Sequence, residues 1–320
     1  MSRPATIAAI AIGRNEGERL VRCLTSLAGQ VERLVYVDSG STDGSVAAAR
    51  KIGADVVELD TTTRFTAARA RNAGFDRLRA GALPEFVQFV DGDCEVQADW
   101  LPTASAFLAD HPDVAVVCGR RRERFPQASR YNRMIDEEWN TPVGEARACG
   151  GDALMRTSAF EDVGGFDPDF IAGEEPELCV RLRAAGWRIW RLDAEMTLHD
   201  AALARFGQWW TRARRAGHAY AEGAAMHGAP PERHNVAQIR RALLWGLAIP
   251  SAAALGLAIS PWSLALLLAW PAQIARLAIR GEHPETAAFL TLGKVPEALG
   301  VLDFHIRRLA HRPSQVIEYK

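Results

Sequence analysis

Two carboxylates one residue apart, Asp91 and Asp93, close the apolar run Phe86-Val87-Gln88-Phe89-Val90, with Gly92 between them. Acids delivered by a strand end, beside a glycine that lets the turn approach closely, suit a hard divalent ion that keeps some waters and bridges substrate phosphates. The same tripeptide is equally a plain turn between elements, so its context must decide. A second acidic group, Gly173-Glu174-Glu175-Pro176-Glu177, feeds a helical pattern whose first turn admits Pro176. Its acids either complement the helix dipole, each by a few tenths to about 1 kcal/mol, or include a catalytic group. Asp38 ends another apolar run and is either an Asx-turn residue or an acceptor for a ribose or base, with Arg71 and Asn72 nearby.

The elements that must position these residues are legible in the hydrophobic pattern. Thr6–Ile12, Leu34–Val37, Asp55–Leu59 and Phe86–Val90 are strand-like, and helical spacing over Arg19–Leu27, Val46–Lys51 and Thr66–Leu78 separates them. Alternation of this kind predicts an α/β fold with a parallel sheet, whose ligand crevice lies at the carboxyl ends of the strands. A helix over Trp100–Leu108, a strand over Val114–Cys118 and a helix over Leu178–Ala185 follow, while the basic run Gly119–Arg124 reads as a solvated strand edge. No Gly-x-Gly-x-x-Gly follows the first strand and no P-loop is present, which argues against a dinucleotide oxidoreductase and a P-loop nucleotidase.

Composition narrows the partners. The chain has 320 residues, 48% of them hydrophobic, enough for one large domain and an appendage. A formal net charge of -1 gives no basic excess for nucleic acid. Five scattered cysteines without a Cys-x-x-Cys pair indicate neither a disulfide framework nor a zinc site, and the N-terminus lacks signal-peptide features, so a cytoplasmic location is expected.

Asn15-Glu16, Val37-Asp38-Ser39-Gly40-Ser41-Thr42-Asp43-Gly44-Ser45, Ala70-Arg71-Asn72-Ala73-Gly74, Asp91-Gly92-Asp93, Gly164-Gly165-Phe166 and Gly173-Glu174-Glu175-Pro176-Glu177-Leu178 occur in one order. Together they resemble family 2 glycosyltransferases, over roughly residues 5 to 220. The resemblance implies the GT-A fold, a Rossmann-like, mostly parallel sheet flanked by helices. It places Asn15, Glu16, Asp38, Arg71 and Asn72 in the pocket for a nucleotide-sugar donor, with Asp91 and Gly92 beside the ribose. Asp93 then ligates Mg2+ or Mn2+ on the donor diphosphate, and His199 completes the metal site. The family's Glu-Asp pair, whose aspartate is the catalytic base, aligns with Glu174-Glu175. Glutamate is competent but one methylene longer, and the Leu178 register favours Glu175 over Glu174. The Gln-x-x-Arg-Trp signature of processive members is replaced by Gln208-Trp209-Trp210-Thr211-Arg212, which favours transfer of a single sugar. The altered acidic motif keeps a second function in view, a non-catalytic nucleotide-sugar-binding subunit of a polysaccharide assembly complex.

Residues 236–320 differ in character from the catalytic domain expected over 1–235. No charge occurs from Ala242 to Ala275, and Arg240, Arg241, Arg276 and Arg280 flank the run. Its length suits a hairpin turning near Ser260-Pro261 that enters the cytoplasmic face of the inner membrane, close to a lipid-linked or saccharide acceptor. A soluble hairpin would instead need an apolar partner surface, such as a homodimer interface. Lys294–Arg312 reads as a basic amphipathic helix.

Overall fold

The computed structural model describes residues 5–311, so Arg312, the last residue of the expected amphipathic segment, lies outside the described residues. The chain forms two compact units: one runs to Phe170 and resumes over Glu174–Ala204, and the other takes Ile171–Gly173 and the chain from Arg205.

In the first unit β1 (Ile7–Gly13), α1 (Glu18–Leu27), β2 (Arg33–Asp38), α2 (Ser45–Ile52), β3 (Asp55–Glu58), α3 (Ala67–Arg79) and β4 (Phe86–Asp91) alternate as the pattern predicts. β1 is buried from Ala8 to Ile12, the continuous apolar run of a strand covered on both faces. α1 buries Leu20, Cys23, Leu24 and Leu27, one helical stripe. Thr66 Oγ1 caps α3 by accepting from Arg69 N at 3.1 Å. Gly74 lets α3 lie directly on the sheet, since a Cβ there would stand 2.4 Å from Ile10 Cγ2.

β5 (Cys94–Val96), α4 (Trp100–Asp110), β6 (Val114–Glu123), α5 (Arg130–Glu138), β7 (Gly144–Ala146), β8 (Ala153–Arg156), α6 (Thr157–Asp162), α7 (Glu174–Ala184) and β9 (Arg188–His199) complete the unit. The sheet order is β3-β2-β1-β4-β8-β6-β9-β5, with β7 also on β9. β1 to β4 pair in parallel, whereas β8 runs antiparallel to both β4 and β6. The sheet is therefore mixed.

Register explains how distant motifs meet. Asp38 pairs with Gly13 and Asp91 with Ile12, so the ends of β1, β2 and β4 share a rim. Cys94 opposite His199 brings the histidine beside Asp93, and Arg121 and Glu123 lie opposite Thr197 and His199. This corrects the expectation for the basic run: β6 continues through it as a ten-residue strand, and Arg121 and Glu123 turn inward. Only Arg122, paired with an equally exposed Glu195, has the solvated-edge character.

The second unit contains α8 (Phe206–His227), α9 (Val236–Leu243), α10 (Ile249–Gly256), α11 (Ala269–Ile279), α12 (Pro284–Leu292) and α13 (Lys294–Leu309). α8 belongs here because its backbone meets that of α13: a Cβ on Gly217 would lie 1.9 Å from Glu297 O, and one on Gly300 2.0 Å from Arg214 O. The units thus part at Ala204/Arg205, earlier than residue 235. The charge-free run folds as two helical arms around residues 257–260. A π turn at Leu244–Ala248 precedes Pro250, whose missing N–H and ring disturb the ordinary helical ladder. Ser260 Oγ accepts from Trp262 N at 3.3 Å and starts the second arm, a 3-10 segment Pro261–Leu268 continuing into α11. Ser263 Oγ donates to Ala253 O at 2.9 Å and ties the arms together. Leu255, Ile259, Trp262, Leu268 and Ile279 stay exposed.

Candidate active site

Arg71, on α3 and 2% exposed, is the centre of the site. Its Nη1 donates to Glu174 Oε1 at 2.7 Å and its Nη2 to Asp91 Oδ1 at 2.9 Å, and Glu175 Oε1 lies 3.0 Å from Nη2. Arg71 thus joins the acid that ends β4 to the acids that open α7. Burial alone would strip its proton, but Glu175, Asp91 and Glu174 hold the guanidinium charged. One guanidinium shared by three carboxylates cannot hold all three ionised equally. Burial, with the repulsion of Glu174 behind it, pushes Glu175 up to about 7 against the pull of Arg71.

Asp91 faces a second guanidinium. Arg121 Nη2 donates to Asp91 Oδ2 at 2.8 Å. Arg121 Nε lies 3.1 Å from Asp152 Oδ2, and its guanidinium stands over the Trp139 ring at 5.0 Å. Burial would raise Asp91, but Arg71 and Arg121 keep it below the ordinary carboxylate range. Asp152 also accepts from Asp91 N at 3.1 Å and from Thr197 Oγ1 at 2.7 Å. Gly151 makes room for this arrangement, because a Cβ there would lie 2.7 Å from Asp91 Oδ2 and 2.8 Å from Arg71 Nη2.

Asp93 has a different partner. His199 Nε2 lies 3.3 Å from Asp93 Oδ1, and on the other side of the ring Glu123 Oε2 is 3.8 Å from Nδ1. Glu123 is itself fixed by the amides of Phe125 and Ala201, which donate at 3.0 Å each. Trp139 packs edge-on against the imidazole at 4.8 Å. Burial would lower His199, but the Asp93 carboxylate raises it.

One donor atom each from Asp93, Cys94 and His199 lies within 4.8 Å of the others, a geometry that can close on a cation. Burial keeps the Cys94 thiol protonated, so carboxylate and imidazole are the effective donors and the remaining positions fall to substrate or water. Asp91, Cys94 and Asp152 also converge. The arginines already occupy those two carboxylates, so this second group is no cation site.

Asn15 and Asp38 shape the loop after β2. Asp38 accepts from Tyr36 Oη at 2.8 Å and from the amides of Gly40 and Ser41 at 2.9 and 2.8 Å, an Asx-turn geometry. Asn15, at φ 56°, accepts from Thr42 N at 2.7 Å. Glu16 lies on the rim with Arg19 at 2.8 Å, and Gly92 N donates to Ile12 O at 2.8 Å beneath it. Asn72, expected beside Arg71 in the nucleotide pocket, spends its amide elsewhere. It donates to Phe166 O at 2.7 Å and accepts from Phe166 N at 3.0 Å, stapling the Gly164-Gly165-Phe166 turn.

Arg121, Glu123, Trp139, Gly151 and Asp152 are the site residues that sequence reasoning missed. Arg121 and Glu123 stand two apart, as residues on one face of a strand do, but the surrounding arginines mask that signal. Asp152 precedes its strand, whereas the sequence signal for a ligand crevice lies in acids that follow one.

A model of the glycosyl transferase family 2 matches residues 10–164. The chain is 33% identical over 171 residues to the succinoglycan biosynthesis protein ExoA of Rhizobium meliloti (strain 1021), covering 50% of this chain and 52% of that protein. It is 30% identical over 200 residues to the pre-mycofactocin glycosyltransferase of Mycobacterium tuberculosis (strain CDC 1551 / Oshkosh), covering 58% and 41%. The chain thus spans about half or less of these two relatives. An uncharacterized glycosyltransferase of Mycobacterium bovis (strain ATCC BAA-935 / AF2122/97) is 31% identical over 186 residues, 56% of this chain and 79% of that one. Among solved structures, the mannosyltransferase PcManGT from Pyrobaculum calidifontis, in complex with GDP-Man and Mn2+, superposes with a TM-score of 0.64 at 22% identity, covering 94% and 88% of the two chains. S. aureus TarS 1-349 gives 0.53 at 16% identity, covering 92% and 90%. These two likenesses concern the fold, and the sequence relatives give the family. The chain belongs to the family 2 glycosyltransferases.

Proposed function

We propose that this glycosyltransferase moves a single sugar, with inversion, from a nucleotide-diphosphate sugar to a lipid-linked or polysaccharide acceptor at the cytoplasmic face of the membrane. The observation that carries the reading is the asymmetry of the acids around Arg71. Glu174 and Asp91 are tied to the guanidinium by hydrogen bonds, while Glu175 is pushed up to about 7, where a carboxylate best serves as a base near neutral pH. Glu175 takes the proton of the acceptor hydroxyl as the hydroxyl oxygen attacks the anomeric carbon. The bond from that carbon to the leaving phosphate oxygen breaks on the opposite face. This poise also favours an enzyme over a subunit that only binds donor.

Asp93 and His199 would hold Mg2+ or Mn2+ with the donor diphosphate. Bound there, the ion offsets the charge that grows on the leaving nucleoside diphosphate. The charge balance supports this need. Two guanidiniums and one imidazole face Asp91, Asp93, Glu123, Asp152, Glu174 and Glu175, so a diphosphate would otherwise enter an anionic pocket. Asn15, Glu16, Asp38 and Gly92 contribute through the shape of the rim that receives the nucleotide, and Asp91 lies at the ribose end.

The exposed apolar hairpin supports the membrane acceptor. Pro261–Ile279, 19 residues and apolar enough to cross a membrane, reaches about 30 Å. The other arm, from Ala242 to Gly256, reaches only about 22 Å at 1.5 Å per residue, which fits a hairpin dipping into one leaflet.

A thermal-shift screen of nucleotide sugars with Mn2+, followed by transfer assays on the hits, tests the reading. Wild-type protein should turn over a donor, whereas Asp93→Ala or EDTA should abolish donor affinity and turnover together. Unchanged affinity and turnover in EDTA would sink the metal assignment, and tight donor binding without turnover on any acceptor would leave the binding subunit.

A further inference from the structure

Arg121 has one amine that its contacts leave unused. Its Nη2 donates to Asp91 Oδ2 at 2.8 Å and to the Cys94 sulfur at 3.1 Å, and its Nε lies 3.1 Å from Asp152 Oδ2 in an ion pair without a hydrogen bond. Trp139 covers one face of the guanidinium plane. Burial would weaken the charge, but the Asp152 and Asp91 carboxylates outweigh it and the group stays ionised. Nη1 has no partner among the described residues. The neighbour recorded on that side is glycine, for a Cβ on Gly150 would begin 3.9 Å from Nη1. The side chain keeps 15% of its surface open.

The guanidinium lies close to the Asp93–His199 pair. Cys94 Sγ, which touches Arg121, is also 3.7 Å from Asp93 Oδ1, and the Arg121 charge is felt at His199. A planar donor group held by Asp91 and Asp152, one contact away from Asp93 through Cys94 and with its Nη1 left over, has the form of an oxyanion contact. Asp152 explains why the fork does not swing. Its side chain is fully buried, and its two oxygens tie Arg121 to the Asp91 amide and the Thr197 hydroxyl.

We propose that Arg121 is a catalytic residue that binds the diphosphate of the donor and of the leaving nucleotide through Nη1, and that Asp152 is the positioning residue that aims it. This rests on the donor reading given above. Phosphate on the acceptor offers the same chemistry, so the test separates the two sources.

Full-length protein in Mn2+ is titrated with UDP and with GDP by calorimetry, and with uridine and guanosine by ligand-observed NMR. Arg121→Met should weaken binding of the preferred diphosphate about 10- to 100-fold while leaving its nucleoside unchanged. Arg121→Lys should recover part of the loss. Asp152→Asn, which keeps the shape and removes the charge, should lower diphosphate affinity several-fold in the same selective way. Equal diphosphate binding by wild type and Arg121→Met overturns the inference, as does parallel loss of diphosphate and nucleoside in all three variants. A defect confined to the acceptor KM also overturns it and assigns Arg121 to the acceptor. If wild type binds neither of these nor any other nucleoside diphosphate, the donor reading itself fails, which no variant result can mimic.

Discussion

Glu174 and Glu175 are adjacent, carry the same functional group and touch the same arginine, yet their surroundings separate them. Glu174 accepts directly from Arg71 Nη1, whereas Glu175 shares Nη2 with Asp91 and is driven toward its protonated form. Glu175→Gln should therefore lower kcat about 10²- to 10⁴-fold, with donor affinity nearly unchanged. The same substitution in Glu174 should disturb binding and folding more than the proton step. If Glu175→Gln keeps wild-type turnover while Glu174→Gln loses it, the base is the other residue. The wild-type rate should climb tenfold per pH unit below about 7 and level off above it. Stability carries the opposite sign. The folded value of about 7 lies above the ordinary 4.5, so the folded state holds this proton more tightly. The stability it contributes is present below about 4.5 and is lost as pH rises through 7. Melting curves should then show Glu175→Gln gaining on wild type between pH 5 and pH 8, and no change in the difference would contradict the shifted carboxyl.

Elements act on this chemistry through close approaches that only glycine permits. Gly151 precedes β8 with its α-carbon against the Asp91–Arg71 pair, where a methyl group would displace one partner. Gly151→Ala should cost at least tenfold in kcat/KM while melting within a few degrees of wild type, since the intruding group meets the polar Asp91–Arg71 pair and not the apolar core. Steady-state kinetics beside a thermal melt check this, and full activity in the variant would show that the pair can yield. Gly74→Ala should do the reverse. Its Cβ would press on Ile10 from α3 to β1 and destabilise the sheet by about 1–3 kcal/mol.

For the whole molecule, the unresolved cost is the apolar surface of the C-terminal arms. Leu255, Ile259 and Leu268 are 75%, 90% and 67% exposed, far more than a water-facing hairpin sustains without a cover. Triple replacement by glutamate should move the protein from the membrane fraction to the soluble fraction and reduce transfer to a lipid-linked acceptor, with hydrolysis of donor retained. Wild-type protein that stays monomeric and soluble without detergent would rule out membrane insertion and an apolar dimer alike.

The sequence by itself determined what is local and periodic. Strand and helix alternation through Asp91 followed from apolar spacing, and the acids at strand and helix ends followed from their loops, because these signals depend on neighbours within a few residues. The family motifs added an order that composition does not contain. The tertiary structure alone decided how the acids divide their work. Asp91 and Asp93 are near twins in sequence, but β6 sets Arg121 against the first, and β9 sets His199 beside the second. The same holds for Asn72, which sits next to Arg71 on α3 yet points at the Phe166 backbone. Charge, burial and pKa are sums over neighbours brought in by strand pairing, across 30 residues for Arg121 and Asp91 and 103 for Arg71 and Glu174. No local pattern carries such a sum, so the roles of these residues became visible only once the sheet had placed them together.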